Sequence, residues 1–410
     1  MMSIRRRTPL ALQGQSREIV EERLRLLRTS DRTLMKGVKF GRRFFGGDIP
    51  FELAEYASGL FAQSTRTALY ADLPGPASVE GMHREIVGHA LDLLQAPPAA
   101  AGVVTSGGTE SVILALKAAV GRARSRGLAV HEMEVVAPQS AHPCIDKAAE
   151  LLNVRLLRVP VRSDFTANVA EMAAAVSPNT VMLYCSFPSY AFGLADDVQA
   201  LGALATSKDV WLHVDACLSG LLAPFARMNG EIIPPFDFEI PGVSSLSADL
   251  HKHGYSAKGA SLILFRDSDL ARFATFSYTN HPLAPMTTVT LAGTASGAPI
   301  ASAWAVMQHL GVAGYRELAA RLFASRRAIV AAINSVPGFA VLGQPQFSIV
   351  VLTSSIYNLE KVRNALTQKQ WFTAPVFNPS GIHMNVGAFD QQLAEELVRD
   401  ITEAAEKSHD

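Results

Sequence analysis

The stretch that decides the fold is "AGVVTSGGTESVILALKAAVGRARSRG", Ala101 to Gly127. A short apolar run meets two glycines, and apolar residues then recur at helical spacing for about five turns. That is a strand, a tight turn and a helix. The pattern repeats downstream: "MEVVAPQ" leads into "HPCIDKAAELLN", "VRLLRVPVR" into a helix containing "VAEMAAAV", and "TVMLYCSFP" into "DDVQALGALATSKD". "VWLHVDAC", "GVSSLSADLH" and "ASLILFR" follow as further strands. Strands alternating with helices predict an α/β fold with a mostly parallel central sheet covered on both faces.

Outward from this block the character changes. "SREIVEERLRLLRT" begins at a cap-like Ser16 and predicts an N-terminal helical segment. Beyond "GAPIASAWAVMQHL" and "GYRELAARLFASRRAIVAAINSV" lies a stretch of short strands and helices that reads as a small C-terminal α+β domain. The expected organisation is an N-terminal arm over 1–60, a large α/β domain over 61–310 and a small domain over 311–410.

Bulk properties narrow the function. The chain has 410 residues, 49% hydrophobic and 18% charged, which suits a folded enzyme subunit of two domains. Its net charge of zero argues against a protein dedicated to nucleic acid. Residues 1–43 hold twelve Arg/Lys against four Asp/Glu, which reads as a solvated basic arm. The three cysteines, Cys144, Cys185 and Cys217, form no C-x-x-C pair, as expected of buried thiols in a reducing compartment. No apolar run reaches the about eighteen residues of a membrane span. A cytoplasmic location is expected.

Three places can carry chemistry. In "TSGGTES", Ser106, Gly107, Gly108 and Thr109 open a helix, whose free N–H groups and dipole attract an anion, and the Ser106 and Thr109 hydroxyls can add donors. No G-K-[ST] follows, so this is not a P-loop. In "VWLHVDAC", His213 and Asp215 share a strand face, and a carboxylate at the end of an apolar strand needs a cationic or donor partner. In "SLSADLHKHGYSAKG", Ser245 to Gly259, Lys252 follows a strand, where desolvation would lower its pKa and favour the amine that forms a Schiff base. Two assemblies of these parts are open. His213, Asp215, His251 and His253 could form a metal cluster. Alternatively the cradle, the aspartate, the lysine and His142 of "SAHPCIDKA" supply what pyridoxal 5′-phosphate needs: a helix N-terminus for the phosphate, a carboxylate for the ring nitrogen, an amine for the aldehyde and a flat group for the ring face.

At these residues the sequence resembles the pyridoxal 5′-phosphate-dependent fold-type I enzymes of the group II decarboxylase superfamily, and within it the sphingosine-1-phosphate lyases. The likeness rests on "TSGGTES", "SAHPCIDKAAELL", "WLHVDACLSG" and "SLSADLHKHGYSAKGASLILF", collinear over roughly residues 40–310. It implies that Lys252 holds the cofactor covalently, Asp215 pairs with its ring nitrogen and His142 stacks on the ring. It implies that Gly107, Gly108 and Thr109 bind the phosphate, with Ser247 and His251 nearby. It matches Lys258 to a second active-site lysine, and Gly293 and Thr294 to a loop reaching the neighbouring subunit's cofactor, so a homodimer with shared sites is implied.

The chain departs from the lyase pattern at three places. Phe44 in "GRRFFGG" stands at a tyrosine position, Tyr70 in "TALYAD" at a histidine position, and Ala295 in "AGTASGAP" at an arginine position. The cofactor set is retained and the substrate side altered. The expected activity is therefore carbon–carbon lyase action on a small-molecule amine, a retro-aldol cleavage of a β-hydroxy amine to an aldehyde, with Lys258 or Tyr70 as base. Amino-acid decarboxylation is the alternative, for which Arg42 or Arg43 could bind a carboxylate. A non-catalytic protein of this fold is the third reading.

Overall fold

The computed structural model describes residues 13–35, 39, 51–66, 77–282, 284–388 and 391–408. The chain divides into two units, Met1–Val38 and Lys39–Asp410. The first contributes the helix Arg17–Met35, which starts just after Ser16 as expected and leaves Ile19, Val20, Leu24, Leu26 and Leu27 exposed.

The second unit is built on a seven-stranded sheet. Its strands are β1 (Ala101–Thr105), β2 (Glu134–Pro138), β3 (Arg155–Val159), β4 (Thr180–Ser186), β5 (Trp211–Asp215), β6 (Val243–Ala248) and β7 (Ser261–Phe265), in the spatial order β1-β7-β6-β5-β4-β2-β3. The pairs β2–β3, β2–β4, β4–β5 and β5–β6 are parallel. Strand β7 runs antiparallel to both β1 and β6. Each parallel crossover carries a helix, but residues 249–260, between β6 and β7, contain none. A connection without a crossover returns the chain antiparallel. The carboxyl ends of β1, β4, β5 and β6 thus share one edge of the sheet with this connection, which contains Lys252.

Side chains alternate between two cores, as strand geometry requires. On β4, Leu183 and Cys185 join one core, while Met182 and Tyr184 join the other with Trp211 and the apolar face of the helix Gly108–Ser125. Asp215 follows Trp211 and His213 at period two, so it stands on that second face at the strand's end.

The remaining strands are a ribbon, β8 (Phe276–Tyr278) with β9 (Met286–Thr288), and a four-stranded antiparallel sheet. The latter comprises β10 (Ala340–Val341), β11 (Ile349–Thr353), β12 (Thr373–Phe377) and β13 (Ser380–Asn385), in the order β10-β11-β13-β12. The α+β character expected near the C-terminus is this sheet with the helices Leu359–Gln368 and Ala394–Glu406. The boundary expected after residue 310 falls within one long helical segment, Gly297–Ser335, whose helical path breaks at Gly311 (φ 52°, ψ −169°), a conformation that favours glycine. The helix Phe51–Leu60, assigned from sequence to the arm, packs against this segment and belongs to the second unit.

Candidate active site

A cavity of about 500 Å³ opens at the carboxyl edge of the sheet. Ser106, Gly107, Gly108, Thr109, His142, Asp215, His251 and Lys252 line it, residues that are as much as 146 positions apart in the chain. The sheet brings them together because β1, β5 and β6 end at the same edge, where ligands of open α/β sheets bind.

The anion end is the start of the helix Gly108–Ser125. No side chain caps it, so its first N–H groups face the cavity unpaired by a cap. Gly108 is required by close approach. A Cβ there would lie 2.8 Å from Cys217 Sγ and 3.0 Å from Asp249 Oδ1. Gly107 is extended, and a Cβ would meet only His251 Cε1 at 3.7 Å. Glu110, buried, accepts from both Ser106 N (2.7 Å) and Ser106 Oγ (2.6 Å), and from Leu291 N at 2.8 Å. The Ser106 hydroxyl proton is therefore directed at Glu110 rather than at a phosphate, which alters the donor role expected of it.

The acid end is Asp215. Its Oδ2 accepts from the Tyr184 hydroxyl, and its Oδ1 from Cys217 N at 3.0 Å and, more weakly, Ser247 Oγ at 3.4 Å. Burial pushes the carboxyl up, but the Lys252 charge and the donors from Tyr184 and Cys217 outweigh it and hold it below the usual range. Ser247 is wholly buried and also lies 3.2 Å from Cys217 Sγ and 3.3 Å from His213 Nε2. It supports Asp215 and is not among the residues that line the cavity, whereas a place near the cofactor was expected of it. Burial brings His213 to about 4, so it is a neutral core residue bonded to Ser245.

Lys252 reverses one expectation. Its ammonium lies 2.8 Å from Asp249 Oδ2, and Asp249 is 3% exposed. Burial alone would lower the lysine, but the carboxylates of Asp249 and Asp215 raise it above its ordinary value. Lys252 is thus paired as a cation and is not the neutral amine that desolvation alone predicts. Asp249, left without a role by the sequence, is its counter-ion, and its Oδ1 is buried without a partner.

Around this pair, His251 Nδ1 accepts from Ala260 N at 3.2 Å, and its Nε2 is 3.5 Å from Asp249 Oδ2. Lys258 Nζ donates to His251 O at 2.9 Å. Partial desolvation and the charge of Lys252 bring Lys258 down to about 8, while the residue keeps an exposed surface and is not among those that line the cavity. His142 Nδ1 accepts from Cys144 N at 3.1 Å, and burial keeps the ring neutral. Tyr190, half of whose surface is exposed at the cavity mouth, meets His142 edge-on at 6.1 Å.

Gly293 and Thr294 are exposed and do not line this cavity. Tyr70, Phe44, Arg42 and Arg43 lie outside the described residues. His253 is buried against Ser348 at 3.3 Å, away from the cavity, and among the described residues no group of three or more His, Cys, Asp or Glu is placed to hold a metal. Three contributors were given no role by the sequence: Glu110, although it lies within "TSGGTES", Tyr184, and Asp249 as a partner of Lys252. Only the last had a local signal, its position three residues before Lys252.

Pyridoxal 5′-phosphate fits this donor set. The glycine cradle leaves room only for backbone, its N–H groups suit a phosphate, an ionised carboxylate faces the opposite end, and an amine and a neutral imidazole lie between.

Comparison with known proteins agrees. Residues 18–354 match the description "pyridoxal-dependent decarboxylase conserved domain". The chain is 34% identical over 305 residues to a rice (Oryza sativa subsp. japonica) sphingosine-1-phosphate lyase, covering 74% of this chain and 56% of that one. It is 32% identical over 399 residues to mouse (Mus musculus) sphingosine-1-phosphate lyase 1, covering 96% and 69%. The chain thus spans roughly half to two thirds of the length of these relatives. A solved sphingosine-1-phosphate lyase from Burkholderia pseudomallei superposes with a TM-score of 0.92 at 33% identity, covering 99% of this chain and 94% of that one.

Proposed function

The chain belongs to the pyridoxal-dependent decarboxylase family, and from that premise we propose that it is a carbon–carbon lyase that cleaves a phosphorylated long-chain β-hydroxy amine to an aldehyde. The observation that carries the reading is the likeness to a sphingosine-1-phosphate lyase over 99% of this chain. The cofactor is pyridoxal 5′-phosphate. Gly107, Gly108 and Thr109 would hold its phosphate, Asp215 its ring nitrogen, His142 its ring face and Lys252 its aldehyde carbon. Bound there, it supplies a protonated aromatic ring that withdraws electrons from a bond to the amine-bearing carbon of the substrate.

The chain's own residues do the rest. Asp249 holds the Lys252 ammonium at 2.8 Å, so the lysine has a fixed partner whenever it is not attached to the cofactor. The neutral His142 presents a flat face without a charge that would oppose a cationic ring. Lys258, near 8, exists partly as the free amine at mildly alkaline pH and can take the proton of the substrate's β-hydroxyl.

The active form in this proposal is a homodimer, supported by Gly293 and Thr294 standing exposed outside their own chain's cavity. A cytoplasmic location is part of the same proposal, supported by three free, buried cysteines. The test is to give cofactor-loaded protein a phosphorylated long-chain β-hydroxy amine and, separately, a panel of α-amino acids. Aldehyde from the first and no CO₂ from the second is expected. CO₂ without aldehyde would move the assignment to a decarboxylase, and neither product to a non-catalytic protein.

A further inference from the structure

We infer that Tyr184 is a positioning residue for Asp215, its phenol directing the carboxylate and setting how strongly that carboxylate acts on the cofactor's ring nitrogen. The inference rests on the family's cofactor occupying this cavity. Tyr184 lies on β4, directly opposite His213 of β5 in the parallel pairing, and its ring packs against the His213 ring at 5.6 Å. From there its hydroxyl reaches along β5 to the strand's end and donates to Asp215 Oδ2. The side chain is fully buried, and the other neighbour of its oxygen is Cys144 Sγ at 3.7 Å, a weak partner. Burial and the adjacent Asp215 charge raise the phenol well above its ordinary value, so it remains a donor across the working pH range.

The consequence follows from counting acceptor positions. A carboxylate offers about four lone-pair sites. At Asp215, Oδ1 serves Cys217 N and Ser247 Oγ, and Oδ2 serves Tyr184, so the plane of the group is held from both sides. Asp215 itself lines the cavity. The Tyr184 bond also stabilises the charged form of a carboxylate that burial would otherwise protonate. Without it, the proton shared between Asp215 and a ring nitrogen shifts toward Asp215, and the ring loses positive charge. The phenol thereby acts on the cofactor only through Asp215. Tyr184 is not itself among the residues that line the cavity.

Two substitutions of opposite sense test this. Tyr184→Phe removes the donor with little change of shape. 3-Fluorotyrosine incorporated at 184 keeps the shape and makes the phenol a stronger donor. Each protein is loaded with pyridoxal 5′-phosphate carrying ¹⁵N in the ring, and the nitrogen resonance is followed with pH. In the unsubstituted protein the resonance should be that of a protonated ring. Tyr184→Phe should move it toward the unprotonated position and lower kcat on the order of tenfold with KM little changed, the effect of losing one charge-assisted hydrogen bond. The fluorinated protein should move it the other way or hold protonation to higher pH. A role in packing alone would give no opposed shifts. Identical resonances in all three loaded proteins would overturn the inference while leaving the cofactor assignment standing. Failure of the unsubstituted protein to bind the cofactor would overturn both, so the two failures are distinguishable. If Tyr184→Phe does not fold, the fluorinated protein alone decides, since an unmoved resonance there contradicts the inference.

Discussion

Lys252 and Lys258 are six residues apart, and their surroundings push them in opposite directions. Lys252 is raised because Asp249 sits 2.8 Å away, whereas Lys258 is lowered to about 8 by burial and by the charge of Lys252 itself. The sign for Lys258 is simple: below about 8 it is an ammonium and cannot accept a proton, and above it the free amine dominates. Turnover should therefore rise with pH through that region. Lys258→Met should abolish this rise and lower kcat by about 10²-fold or more, the usual scale for a general base. A pH–rate profile left unchanged by the substitution would remove Lys258 from the chemistry. At this scale much of the site was legible: the glycines, Asp215, His142 and Lys252 stand in ordered motifs. The Asp249–Lys252 pair was not, because an aspartate three residues before a lysine meets it only if the chain turns between them. Here it does, with Lys252 N donating to Asp249 O at 3.3 Å.

Elements explain why other contributors stayed hidden. Period-two alternation tells which face of β4 Tyr184 occupies, but not that β4 lies beside β5 with Tyr184 opposite His213. That register arises only once the sheet is assembled, so the partner of Asp215 has no sequence signature. Glu110 is a similar case. As the third residue of its helix it reads as an ordinary acidic residue complementing the helix dipole, yet it ties Ser106 to Leu291, 185 residues further on. The antiparallel course of β7 did have a signal. "GVSSLSADLH" and "ASLILFR" are separated by a segment too short for a crossover helix. The glycine pair was read as a cradle from the turn and the helix start. Its reason is more specific than loop flexibility: at Gly108 a single methyl group would collide with Cys217 and Asp249.

For the whole molecule, one chain supplies a cavity with an anion cradle, a carboxylate, an imidazole and an amine, while Gly293 and Thr294 of the same chain are exposed outside it. In the proposed homodimer each subunit would lend this loop to its neighbour. Sedimentation at assay concentration should give twice the chain mass of 44.0 kDa, and a species of one chain mass with full activity would contradict shared sites. The α/β class and the small C-terminal sheet were legible from periodicity. The boundary between them was not, because a single helical segment broken at Gly311 spans it, and helical periodicity continues on either side of the break. The central claim is that this chain's pocket binds pyridoxal 5′-phosphate through Lys252. It is tested most directly by reducing the cofactor-loaded protein with borohydride, digesting it and locating the modified peptide by mass. The account predicts one pyridoxyl group per chain, on Lys252, and none in Lys252→Ala. A modification on another lysine, or one that persists in Lys252→Ala, would contradict it.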